Sequence, residues 1–136
     1  MSQNSIRSRL RRAAWQITPA PILHLVFGAR LRGMGRLIDA AAMLTYRAAW
    51  MRDASTTQGA GTPAYTAAAA AAKLTATENA QRVIDMALQM FGGRGVQVGQ
   101  TIEHLYRDIR SLRIYEGASE VQLLILGKHT LRGTGA

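Results

Sequence analysis

The 136-residue chain contains no cysteine. That excludes a disulfide framework, a thiolate nucleophile and a thiolate metal site. Three scattered histidines, His24, His104 and His129, have no metal-ligand spacing, so no metal site is expected. Aromatics make up only 6% of residues although 48% are hydrophobic. The apolar content is therefore mostly Ala, Leu, Ile, Val and Met, a helical palette rather than a sheet one. No apolar run reaches the ~18 residues that would span a bilayer. Acidic residues are missing from positions 1–38, which carry seven arginines; from Asp39 onward ten basic residues face eight acidic ones. The formal charge of +9 thus belongs to the N-terminal segment, and the body is nearly balanced.

Residues 1–21 read as a basic, poorly ordered segment preceding one helical domain over 22–136. The prolines of Thr18-Pro19-Ala20-Pro21 break any helix begun between Ile6 and Ile17. This composition fits an organelle-targeting peptide, a basic arm on nucleic acid, or a start with no mechanism of its own. It does not fit a secretory signal, because no apolar stretch follows the arginines.

From Ile22 the positions Leu23, Phe27, Leu31, Met34, Ile38, Ala41, Leu44 and Ala48 step by three or four, predicting an amphipathic helix to about Arg52. Residues 53–62 have turn chemistry. Thr62-Pro63 reads as the N-cap and first residue of a second helix, which carries an alanine run and stops at Gly92-Gly93. A short helix over Thr101 to Leu112 and a last one over Ser119 to Leu131 complete an all-α class, an antiparallel bundle. Met34, Met43, Met86 and Met90 read as core filler, and Arg107, Arg110 and Arg113 as a solvated ridge beside a locally paired Asp108.

Between the last two helices stands Ile114-Tyr115-Glu116-Gly117-Ala118-Ser119-Glu120-Val121-Gln122. A carboxylate on an inter-helix loop next to a glycine is a candidate base, and its simplest alternative is a solvated loop glutamate. Ser119 and Gln122 have the S-x-x-Q spacing of a capping box. Upstream, Gln89-Met90-Phe91-Gly92-Gly93-Arg94-Gly95 is a glycine turn that serves either as a helix C-cap or as a backbone approach to a cofactor phosphate.

Taken together, Leu37 to Ala41, Leu44 to Trp50, Gln89 to Gly95, Tyr106-Arg107-Asp108 and Ile114 to Gln122 resemble the C-terminal helical domain of the acyl-CoA dehydrogenase family. The likeness runs from about Met34 to Leu131. It implies FAD as cofactor and α,β-dehydrogenation of an acyl-CoA thioester, with Glu116 as catalytic base. It further implies that Tyr115 and Gly117 meet the substrate, and that the Glu116 N–H helps hold the thioester carbonyl. Gln89, Met90, Phe91, Gly92 and Gly93 would approach FAD held largely by a neighbouring subunit; Ala118, Ser119 and Glu120 would lie beside the chain's own FAD. Ala118 stands where many members have a flavin-bonding threonine, and Leu25 where many have a glutamine. The N-terminal helical and middle β domains of the family find no counterpart upstream. The resemblance therefore implies an incomplete bundle, inactive alone or completing an enzyme in trans, and assembled as a homo- or hetero-oligomer. Its compartment would be the bacterial cytoplasm, or the mitochondrial matrix if residues 1–21 are a targeting peptide. A small basic nucleic-acid binder is the alternative class, disfavoured by the balanced body.

Overall fold

The computed structural model describes residues 20–54 and 62–133, with side chains from residue 24. Among these are four α-helices and no strand: α1 (Ala20–Ala54), α2 (Pro63–Phe91), α3 (Thr101–Leu112) and α4 (Ser119–Gly133), with a 3-10 turn at Gly92–Arg94. The chain divides into compact units at Gly33 and Met34. Of the first unit, residues 20–33 are described; they are helical, with Leu25, Val26 and Leu31 exposed. Positions 1–19 and 55–61 lie outside the described residues, so the expectations placed on the basic segment and on the middle of the first connection are not addressed.

In the second unit α2 is the central element. Thr62 caps it as its sequence predicts, its hydroxyl accepting from the Tyr65 N–H at 3.2 Å, with Pro63 in the first turn. Small residues let a neighbour come close: Ala68 and Ala72 on α2 pack with Ala48 on α1, flanked by Leu44 and Met51. Further along, the Asn79 amide donates to the Leu37 carbonyl of α1 at 2.9 Å. Residue 48 meets 68 and 72 while 37 meets 79, so α1 and α2 run antiparallel. The bond also satisfies a side chain buried to 9% exposure, which would otherwise be costly to desolvate.

The inward line on α1 is Met34, Leu37, Ala41, Leu44, Ala48 and Met51, each buried or half-buried. Ile38, expected on that line, is exposed, as is Leu31 of the first unit; Met43, expected as core filler, is 67% exposed. Apolar residues surround this helix, so a period of three and four fits more than one face. The described core is thin. Its buried hydrophobics are Met34, Ile109 and five alanines, and no large side chain among the described residues is wholly enclosed.

Candidate functional site

Helix α3 ends at Leu112 and α4 begins at Ser119, so Glu116 sits in the connection between them. The predicted capping box does not form. The Ser119 hydroxyl donates instead to Glu78 Oε1 on α2 at 2.8 Å, and the Gln122 side-chain amide donates to the Gly117 carbonyl at 3.1 Å. The box is absent because Ser119 is already the first helical residue, and the Gln122 N–H that it would cap donates to the Ala118 carbonyl at 3.1 Å, which leaves the Ser119 hydroxyl to donate to the carboxylate.

Four more bonds fix the loop. Arg113 Nε donates to the same Glu78 Oε1 at 2.7 Å, and Lys73 Nζ donates to the Gly117 carbonyl at 2.6 Å. The Ser119 N–H closes the loop onto the Arg113 carbonyl at 3.2 Å, and the Tyr115 N–H donates to the Ser111 carbonyl at 3.1 Å. Inside this frame Glu116 has φ +54° and Gly117 φ +87°. Glu116 is the one non-glycine residue with positive φ among those described. At Gly117 a side chain would be strained by the backbone angle, and a Cβ would collide with the Gln122 amide nitrogen.

The Glu116 side chain is exposed and makes no ion pair among the described residues. The N–H groups of Glu116 and Gly117 likewise donate to no group among those residues. Tyr115 beside it is half exposed and borders a cavity of about 230 Å³ with Ile84, Leu105, Ile109 and Leu112. Burial pushes the Glu78 carboxyl up. The hydrogen bonds from Ser119 and Arg113 and the charges of Arg113 and Arg82 outweigh this and hold it below its ordinary value.

The arginines of the expected ridge have different fates. Arg107 pairs with Glu103 at 2.6 Å and Arg113 with Glu78, while Asp108 pairs with His104 at 2.8 Å. Arg82, Arg107, Arg110 and Arg113 line a groove of about 600 Å³ together with Asp85, Gln81 and Tyr106. Two of its four guanidiniums, those of Arg107 and Arg113, are already paired. No cluster of three potential metal ligands, and no helix long and apolar enough to cross a membrane, occurs among the described residues.

The residues expected at the cofactor fall in two places. Tyr115, Glu116, Gly117, Ala118, Ser119 and Glu120 are together on the α3–α4 loop. Gln89, Met90, Phe91, Gly92 and Gly93 are at the far end of α2, ~16 Å along the helix from the Glu78 position that holds the loop, at 1.5 Å per residue. Gly92 ends α2 at φ +59° and ψ −143°, a conformation open to glycine rather than the usual left-handed helical cap, with its N–H on the Gln89 carbonyl; a Cβ on Gly92 or Gly93 would meet nothing within 4 Å. Phe91 is exposed, so this turn is an open edge of the chain. At the other place Glu120 is exposed and Ala118 half-buried, but the Ser119 hydroxyl is committed to Glu78. Sequence reading missed Lys73 and Glu78. The available signal was two charged residues inside an alanine-rich stretch of a helix that packs on several sides, since charges so placed are rarely unpaired.

The family model for the acyl-CoA dehydrogenase C-terminal domain matches residues 6–131. The match reaches well upstream of Met34, where the likeness in the sequence was read to fade. The chain is 37% identical over 103 residues to the rat mitochondrial short-chain specific acyl-CoA dehydrogenase, covering 76% of this chain and 23% of the relative. It is 40% identical over 95 residues to the short-chain specific acyl-CoA dehydrogenase of Clostridium acetobutylicum, covering 70% and 23%. A 3-(aryl)acrylate reductase of Clostridium sporogenes is 36% identical over 103 residues, covering 76% and 26%. The chain spans about a quarter of the length of these curated relatives.

Proposed function

The chain belongs to the acyl-CoA dehydrogenase family, and on that premise we propose that Glu116 is the base that takes the α proton from an acyl-CoA thioester. The supporting observation is the loop itself. Glu116 holds a left-handed backbone conformation inside a frame of side-chain and backbone bonds, with its carboxylate and its own N–H both uncommitted. Such strain persists only where the surroundings over-determine it, and it is concentrated at functional sites.

In the proposed step the Glu116 carboxylate accepts the α proton, and the electron pair released on Cα forms the Cα–Cβ double bond as a hydride departs from Cβ. When bound, FAD supplies the two-electron acceptor for that hydride. The Glu116 N–H is free to donate to the thioester carbonyl and so to stabilise the enolate-like charge. Gly117 permits close approach of the thioester, and Tyr115 borders the acyl chain. Ala118 and Glu120, with the Ser119 backbone, would face one FAD; the open turn Gln89 to Gly93 would meet the edge of another. Because Glu116 is exposed in this chain, the walls that exclude water are assigned to further domains or chains.

The test is turnover in an assembly of this chain with flavin-binding partner domains, followed by flavin absorption and acyl-CoA oxidation. Glu116→Gln should retain the flavin colour and lose turnover by about 10²–10⁴-fold, the usual contribution of a positioned base. Unchanged turnover in Glu116→Gln would overturn the assignment. Self-association is part of the same reading. The exposed apolar side chains Met43, Tyr46 and Trp50 on α1 and Val121, Leu124 and Leu131 on α4 should make the purified chain sediment as a dimer or larger species.

A further inference from the structure

The two ends of the Glu116 loop converge on a single atom. Arg113 and Ser119 stand three residues before and three residues after Glu116, and both donate to Glu78 Oε1, at 2.7 and 2.8 Å. The Ser119 N–H to Arg113 carbonyl bond completes a closed ring of chain through that carboxylate. Lys73, on the same helix as Glu78, holds the Gly117 carbonyl from inside the ring, with Gln122 as a second donor. Ser119 and Gln122 are buried at 8% and 7% exposure, whereas the Arg113–Glu78 pair is half-buried.

We propose that Glu78 is a positioning residue for Glu116: by tethering Arg113 and Ser119 together it forces residue 116 into the left-handed region and keeps the Arg113 guanidinium away from the Glu116 carboxylate. This deepens the reading of Glu116 as the base and rests on it for its functional meaning. A non-glycine residue in that region is strained by its Cβ, so a loop free to relax would leave it. Arg113 is the cation next to Glu116 in sequence on the loop, and an ion pair with it would weaken that carboxylate as a base. Lys73 is occupied in the same way by the Gly117 carbonyl. Glu78 itself does not touch Glu116; it acts through the two ends.

The experiment is hydrogen exchange by mass spectrometry on the full 136-residue chain, comparing wild type with Glu78→Gln, Ser119→Ala and Ser119→Thr. The probes are the Tyr115 and Ser119 amides (the residue-119 amide in the variants), both bonded inside the loop. Glu78→Gln should speed their exchange about tenfold or more, as expected for losing charge-assisted bonds, while the α2 amides over 67–77 stay as in wild type. Ser119→Ala should give a smaller increase, and Ser119→Thr, which keeps the hydroxyl, should restore wild-type rates. A second readout is specific to residue 116. The stability advantage of Glu116→Gly over Glu116→Ala should vanish when either is combined with Glu78→Gln, because the relaxed loop no longer demands a left-handed residue. Wild-type exchange in Glu78→Gln, or an undiminished Gly-over-Ala advantage in the double variants, would overturn the proposal. If Glu78→Gln fails to fold, the Ser119 pair decides it. None of these readouts needs flavin or substrate. A clamp confirmed here together with full turnover in Glu116→Gln would refute only the base; an unaltered loop in Glu78→Gln would refute only the clamp.

Discussion

Glu116 is the position where the structure makes its most unusual demand, and replacing it by two small residues isolates that demand. Glu116→Ala and Glu116→Gly remove the same carboxylate, so every electrostatic consequence cancels between them. What differs is the backbone. At φ +54° alanine keeps the left-handed cost of roughly 1–2 kcal/mol that glycine escapes. Glycine in turn loses about 0.4–1 kcal/mol through the greater freedom of its unfolded chain. The balance favours Glu116→Gly over Glu116→Ala by about 0.5–1 kcal/mol, or ~2–4 °C in melting temperature for a chain of this size. An internal control reverses the sign. Lys128 is exposed in the middle of α4, where Lys128→Ala should be more stable than Lys128→Gly by about 1 kcal/mol.

The assay is denaturant unfolding followed by helical circular dichroism, with all four variants at one protein concentration because self-association shifts apparent stability by mass action. The expected result is Gly above Ala at 116 and Ala above Gly at 128. Ala above Gly at both positions would show that residue 116 is not left-handed in solution. The claim that its surroundings impose a special conformation would then fail.

Three further outcomes follow from the same loop and its supports. Glu78 is held below its ordinary value of 4.5, so its contribution to stability is complete above about pH 5 and is lost as pH falls through its depressed folded value. Unfolding midpoints measured from neutral to strongly acidic pH should therefore drop in wild type and drop less in Glu78→Gln. Gly117→Ala should destabilise the chain by about 1–3 kcal/mol in thermal melts. Adding Gln122→Ala should remove the collision but not the cost of φ +87°. Asn79→Ala should cost about 1–2 kcal/mol, because it removes the buried bond that ties α2 to the Leu37 carbonyl of α1.

The helices were largely legible in the sequence because their ends carry local chemistry. Thr62-Pro63 starts α2, Gly92 stops it, and Ser119 starts α4 where predicted. What could not be read is which partner wins when two are available. Ser119 and Gln122 have capping-box spacing, yet the Gln122 N–H bonds the Ala118 carbonyl and the Ser119 hydroxyl donates to Glu78, forty-one residues away. Spacing encodes only the local competitor. Arg113 looked like one step of a solvated ridge for the same reason, since its acceptor lies on another helix. On α1 the failure is of another kind. Leu31, Ile38 and Met43 extend the apolar pattern around the helix, so periodicity alone cannot choose the buried side; the small residues Ala41 and Ala48, which permit close packing against the alanines of α2, decide it.

If Glu116 is the base, as proposed, its exposure and that of the apolar side chains are two aspects of one design. On α1, Met43, Tyr46 and Trp50 recur at steps of three and four, forming a second apolar stripe beside the one that packs on α2. On α4, Val121 and Leu124 are exposed while Gln122 is buried and Ile125 half-buried. Side chains of this size gain roughly 1.5–3 kcal/mol each when fully buried, far more than the thin alanine core can offer per residue. Surfaces of that kind are therefore sites of further burial. Glu116 belongs to the same logic. Proton abstraction from a weakly acidic carbon is favoured in a water-excluded site, yet the loop holds this carboxylate outward on a frame rigid enough to define where it goes. On the proposed reading, a bundle that leaves its apolar stripes uncovered and Glu116 unshielded, while fixing the loop around it with six bonds, would deliver a positioned carboxylate to a pocket closed from the other side.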